Sequence, residues 1–98
     1  MRKADLVAAV ADKTGVDKVD VIQTMEAIFT VIKDSMASGN EVFVRGFGSF
    51  IIKKRAAKTG RNIKRNKTVF IPEHYVPSFK PAKIFTEEVK SKVTALPE

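Results

Sequence analysis

The chain contains no cysteine, which removes a disulfide framework, a thiolate metal site and thiol redox chemistry together. Histidine is almost as scarce. The single copy, His74, has no second histidine or cysteine with which to share a metal, and it lies in a proline-flanked segment where solvent or a local hydrogen bond is its expected partner. Ser49 and Ser78 sit in no nucleophile motif, and the acidic residues fall mostly on amphipathic helices as solvated charge, so no catalytic constellation is found. No cofactor is implied. No stretch approaches the ~20 apolar residues of a membrane span, and MRKADLVAAVADK lacks the apolar run of a signal peptide; a cytosolic protein with no membrane partner is expected.

Acidic residues are missing from one region in particular. Across residues 45–83, eleven lysines and arginines face Glu73 alone, a net +10, and since the whole chain carries +7 the remaining residues sum to −3. A slightly acidic body with a concentrated basic appendage calls for a polyanionic partner. The appendage is sharpest at residues 53–67, where eight of fifteen side chains are basic, none is acidic, and Ile63 is the only large apolar one. Such a stretch has nothing to offset its ordering entropy or self-repulsion until an anion completes it. The 98 residues make a single domain, 1–98, in which residues 1–40 are helical, residues 41–80 form a sheet and arm, and residues 81–95 form a last helix. Without the basic stretch and its flanks the body is roughly 75 residues, near the lower limit for a self-sufficient core, so self-association is expected.

Leu6, Val7, Val10 and Ala11 share one face of a short helix over residues 3–14, closed by Gly15. Asp17 reads as the N-cap of a second helix, with Asp20 completing an approximate capping box, and Gly39 stops it after about 30 Å. Its apolar face, including Met25, Ile28, Phe29, Val31 and Ile32, is wider than one short helix can cover. A second subunit is the expected cover. Residues 41–45 and 49–54 read as strands joined by a tight Gly46-Phe47-Gly48 turn, and this Gly-x-Gly lacks what a nucleotide-binding loop requires. Thr68 to Ile71 has strand composition and is expected to pair with residues 51–59, making a ribbon with its tip within 60–66. Prolines 72, 77 and 81 punctuate the return, and Pro81 fits the first position of a last helix carrying Ile84, Phe85, Val89 and Val93.

On such a ribbon Lys53, Arg55 and Arg61 would share one face and Lys54 and Lys58 the other, allowing cations to follow a phosphate backbone on both sides of a groove. Arg2 and Lys3 at the first helix, and Lys80 and Lys83 at the last, stand where the helix dipole disfavours positive charge by about 0.3 to 1 kcal/mol. An outside phosphate at each end would explain them.

Three motifs now stand in order after two helices: RGFGSF at 45–50, Gly60-Arg61-Asn62 at the ribbon tip, and YVPSFKP at 75–81. Together they resemble the bacterial HU and integration host factor family over nearly the whole chain, to about Val93. The resemblance implies an α+β fold in an intertwined dimer: two N-terminal helices, a small antiparallel sheet with an extended β-ribbon arm, and a C-terminal helix. It implies a nucleoid-associated, architectural protein whose arms follow the minor groove, bending and compacting double-stranded DNA with low sequence specificity. DNA-contacting residues carried over are Lys3, Gly46, Lys53, Lys54, Arg55, Lys58, Arg61, Asn62, Ile63, Lys64, Arg65, Lys67, Lys80 and Lys83. Ile63 takes the place of the family's wedging proline. Ile28, Phe29, Ile32, Phe47, Phe50 and Phe79 are expected in the dimer core. Bent, nicked or gapped duplexes are the expected preference, since each wedge costs a few kcal/mol of unstacking. The rivals are a sequence-preferring integration-host-factor-type subunit, paired with itself or with a paralogous chain, and a basic-arm module for RNA or acidic proteins.

Overall fold

Where the sequence places Gly15 and Gly39, the chain turns out of its helices. In the computed structural model, which describes residues 1–62 and 67–96 (Arg61, Asn62 and Lys67 by backbone alone), α1 spans Lys3–Thr14 and α2 spans Lys18–Ala37. Gly15 takes φ 76° and Gly39 φ 90°. Asp17 holds the N-cap position of α2, and its carbonyl accepts the Val21 N–H at 3.0 Å, but no side chain caps that end. The capping hydrogen bond is found at α1 instead, where the Arg2 amide donates to Asp5 Oδ2 at 2.8 Å. The two helices form one unit of the chain, Met1–Ser38, and pack against each other.

The second unit, Gly39–Glu98, holds β1 (Val42–Val44), β2 (Gly48–Arg55), β3 (Lys58–Asn62), β4 (Lys67–Ile71), β5 (His74–Pro81) and α3 (Lys83–Lys92). β1, β2 and β5 make an antiparallel sheet in that order, and β3 pairs antiparallel with β4. Three expectations need correction. β4 pairs with residues 58–62, so of its expected partner 51–59 only Lys58 and Thr59 stand opposite it. The proline-punctuated return is a full strand, paired with β2 over eight residues from Gly48↔Pro81 to Arg55↔His74. It tolerates Pro77 because β5 lies at the sheet edge, where a missing N–H need not face a neighbour. Pro81 therefore ends β5 rather than starting the helix; α3 begins at Lys83, with Ala82 as N-cap. The Ala82 N–H donates to the Phe47 carbonyl at 2.9 Å and ties that helix start to the β1–β2 turn.

That turn has two glycines for two reasons. Gly46 takes φ 80°, in the left-handed region that side chains with a Cβ avoid. Gly48 has an ordinary φ but no room: a Cβ there would stand 2.5 Å from the Phe79 ring and 2.7 Å from the Lys80 carbonyl oxygen. The crowding comes from an aromatic cluster, with ring centroids at 5.2 Å for Phe47–Phe79, 5.1 Å for Phe50–Phe79 and 5.4 Å for Phe47–Phe85. Phe85, read from the sequence only as part of a helix face, is what brings α3 into this cluster. Phe47 and Phe79 nonetheless stay 47% and 38% exposed, and Val7 and Val21 are the only buried apolar side chains among the described residues. Each unit presents apolar surface that it does not cover by itself. No helix among the described residues is long and apolar enough to cross a membrane.

Candidate nucleic-acid interface

Register decides which cations share a face. In β2 and β5 the paired residues Ser49↔Lys80, Ile51↔Ser78, Lys53↔Val76 and Arg55↔His74 project to one side. The alternate pairs, Gly48↔Pro81, Phe50↔Phe79, Ile52↔Pro77 and Lys54↔Tyr75, project to the other, which carries the aromatic cluster. Lys53, Arg55 and Lys80 thus stand on the face away from the aromatics, and Lys54 on the opposite one.

The expected face shared by Lys53, Arg55 and Arg61 is interrupted. β2 ends at Arg55 and β3 starts at Lys58, which leaves Ala56 and Ala57 opposite Pro72 and Glu73 with no ladder between them. Pro72 has no N–H to give to such a ladder, so pairing lapses there and resumes at Lys58↔Ile71. The arm is therefore two paired segments separated by a break. Lys58 and Arg61 belong to the outer segment, in which Arg61 pairs with Thr68 and Asn62 with Lys67. Asn62↔Lys67 is the outermost described pair, and the tip expected within 60–66 is not reached by it. Ile63, Lys64 and Arg65, including the expected wedge, lie outside the described residues.

At the break the sequence reading missed a partner. Lys54 Nζ lies 3.1 Å from Glu73, the sole acid of the cationic window, and both side chains are more than half exposed. His74 donates its Nδ1–H to the Pro72 carbonyl at 2.9 Å, the local hydrogen bond expected for it. The helix-terminus cations divide. Lys3 is ion-paired with Glu26 of α2, so its position at a helix start is matched from within the chain. Lys80 and Lys83, by contrast, have no acidic partner among the described residues, and neither do Arg45, Lys53, Arg55 or Lys58. No described His, Asp or Glu cluster is arranged to hold a metal.

The unpaired cations converge at one further place. A cleft of about 340 Å³ on the second unit is lined by Phe43, Arg45, Gly46, Ser49, Lys80 and Lys83, with no acidic group among its walls. Gly46, carried over above as a contact residue, enters it through the left-handed turn. Six unmatched cations on one sheet, one arm and one helix start can neutralise phosphates.

The Bacterial DNA-binding protein family model matches residues 1–90. The chain is 42% identical over 90 residues to DNA-binding protein HU of Thermotoga maritima, covering 92% of this chain and 100% of that protein. It is 40% identical over 92 residues to the SPbeta prophage-derived DNA-binding protein HU 2 of Bacillus subtilis, covering 94% and 100%. Among solved structures, an Anabaena HU–DNA cocrystal structure superposes with a TM-score of 0.86 at 40% identity, over 91% of this chain and 97% of that one.

Proposed function

Because the chain belongs to the bacterial DNA-binding protein family, we propose that it acts as a homodimeric architectural protein of the nucleoid, binding the minor groove and bending and compacting DNA with low sequence specificity. It is a binding protein, not an enzyme. The observation that carries the reading is the cation-lined second unit: a two-segment ribbon and sheet face with +10 across residues 45–83 and six cations that no described acid neutralises. A relative crystallised with DNA supports the same partner. The half-exposed Ile28 and Phe29 of α2, and the accessible aromatics of the sheet, favour a second copy as the cover that completes each core. In that arrangement the whole chain serves as one DNA-binding domain per subunit, the helical segment for dimerisation and the sheet and arm for contact.

The proposed contacts fall into three sets. Lys53, Arg55 and Lys58 meet phosphates along the near half of the arm, joined by Lys54 only where DNA competes with Glu73 for it, with Arg61, Asn62, Lys64, Arg65 and Lys67 toward its tip and Ile63 as the wedge. Gly46, Lys80 and Lys83 hold the backbone nearer the sheet. Lys3 contributes once DNA competes with Glu26 for it. Gel-shift titration on intact, nicked and gapped duplexes of one sequence, with Ile63→Ala beside the wild type, tests wedge and preference together. Tighter binding to nicked and gapped DNA, reduced in the variant, is expected; equal affinity for nicked and intact duplex would sink the wedge. Undiminished binding in the presence of excess random-sequence DNA would point instead to a sequence-preferring protein.

A further inference from the structure

Phe43 is 71% exposed, on a strand whose neighbours Val42 and Val44 alternate with it across the sheet. The register explains why it stays outside. Phe43 stands opposite Ser49, and Ser49 opposite Lys80, so the three form one row across the sheet. The adjacent row, Val42, Phe50 and Phe79, projects to the other side and into the aromatic cluster. The pleat thus keeps a large apolar ring away from the apolar cluster and places it among cations. It lines the 340 Å³ cleft together with Ser49, Arg45, Lys80 and Lys83.

We infer that this cleft is a nucleotide subsite, in which Phe43 packs on the sugar or base of a DNA strand while Arg45, Lys80 and Lys83 meet its phosphates. The inference rests on the DNA-binding reading and extends it to an apolar contact away from the arm. Three observations select DNA as the occupant. The walls combine a ring with three unpaired cations and one hydroxyl, and a nucleotide offers a flat apolar surface beside a phosphate. The same sheet face continues through Ile51 to Lys53 and Arg55, so a strand held by those cations is carried toward Phe43. A second copy of the chain is disfavoured, because a symmetric contact would set Arg45, Lys80 and Lys83 against their own counterparts. Phe43 is a contact that makes binding more than a sum of ion pairs: it favours strands whose bases are accessible, as at an overhang or gap lying against the sheet.

The test separates apolar from ionic contact by salt dependence. Wild type, Phe43→Ser, Phe43→Tyr and Lys80→Ala are titrated by fluorescence anisotropy against a duplex and against the same duplex with a single-stranded overhang, at several salt concentrations. Phe43→Ser should weaken binding at least about fivefold, most on the overhang, as expected for loss of a base–aromatic contact. Its slope of log affinity against log salt should be unchanged, since an apolar contact releases no counterions. Phe43→Tyr keeps the ring and should bind within about twofold of wild type, whereas Lys80→Ala should flatten the slope by about 0.9 for each subunit engaged. Circular dichroism confirms folding, which the exposed position does not threaten. Wild-type affinity in Phe43→Ser overturns the inference and leaves the DNA-binding reading standing. Absence of DNA binding by wild type removes both. A changed mass of Phe43→Ser in light scattering without DNA overturns the inference in favour of a contact between copies.

Discussion

Glu73 is the one acid in a window of eleven cations, and it holds Lys54 at 3.1 Å beside the break in the arm. Glu73→Gln keeps the side chain's shape and removes its charge. The two partners are 55% and 53% exposed, so the pair contributes no more than about 1 kcal/mol to stability and the variant should remain folded. What changes is the number of cations free to meet phosphate, which rises by one per chain. With a slope of about −0.9 per neutralised phosphate, the dependence on salt should steepen by about 0.9 per chain, or about 1.8 for a dimer. Between 50 and 200 mM salt, one added contact deepens the loss of affinity by roughly 3.5-fold, and two by roughly 12-fold. At the low-salt end the variant should bind more tightly than wild type. Anisotropy titrations of a labelled duplex at four salt concentrations read both quantities. Unchanged slope and affinity would show that Lys54 reaches no phosphate, and weaker low-salt binding would show that the ion pair shapes the base of the arm instead of restraining a cation.

The remaining expectations concern the scaffold and the dimer. Gly48→Ala should lower stability by about 1 to 3 kcal/mol, because its methyl group meets both the Phe79 ring and a backbone carbonyl; a wild-type melting temperature would contradict that crowding. Phe29→Glu should convert the dimer to a 10.9 kDa monomer in light scattering by charging a half-exposed α2 face; an unchanged dimer mass would place the interface elsewhere.

The limits of α1 and α2 were legible in the sequence because local chemistry sets them: Gly15 and Gly39 provide the left-handed exits, and Asp17 marks the start of α2. Strand β5 was not. Pro77 and Pro81 argue locally against a strand, and the stabilising partner is β2, whose residues Ile52 and Gly48 stand opposite those two prolines from far back in the chain, at an edge where proline is tolerated. The cationic window could be read directly, since charge is a property of composition. Its division into faces could not, because Pro72 interrupts the ladder and the period-two count does not carry from Arg55 to Arg61. The Lys54–Glu73 pair and the Phe43 row were missed for the same reason: both depend on which residues the β1–β2 turn and the β2–β5 register set opposite each other. Parity counted outward from the Gly46 turn would have placed Phe43 beside Ser49.

Ligase-mediated ring closure of a duplex shorter than the persistence length of about 150 base pairs reads out whether this protein bends the DNA it binds. Added protein should produce monomeric circles that the free fragment does not form, in a concentration range matching its binding isotherm. Saturated binding with no circles above the protein-free control would rule out bending and leave a basic-arm protein that coats DNA.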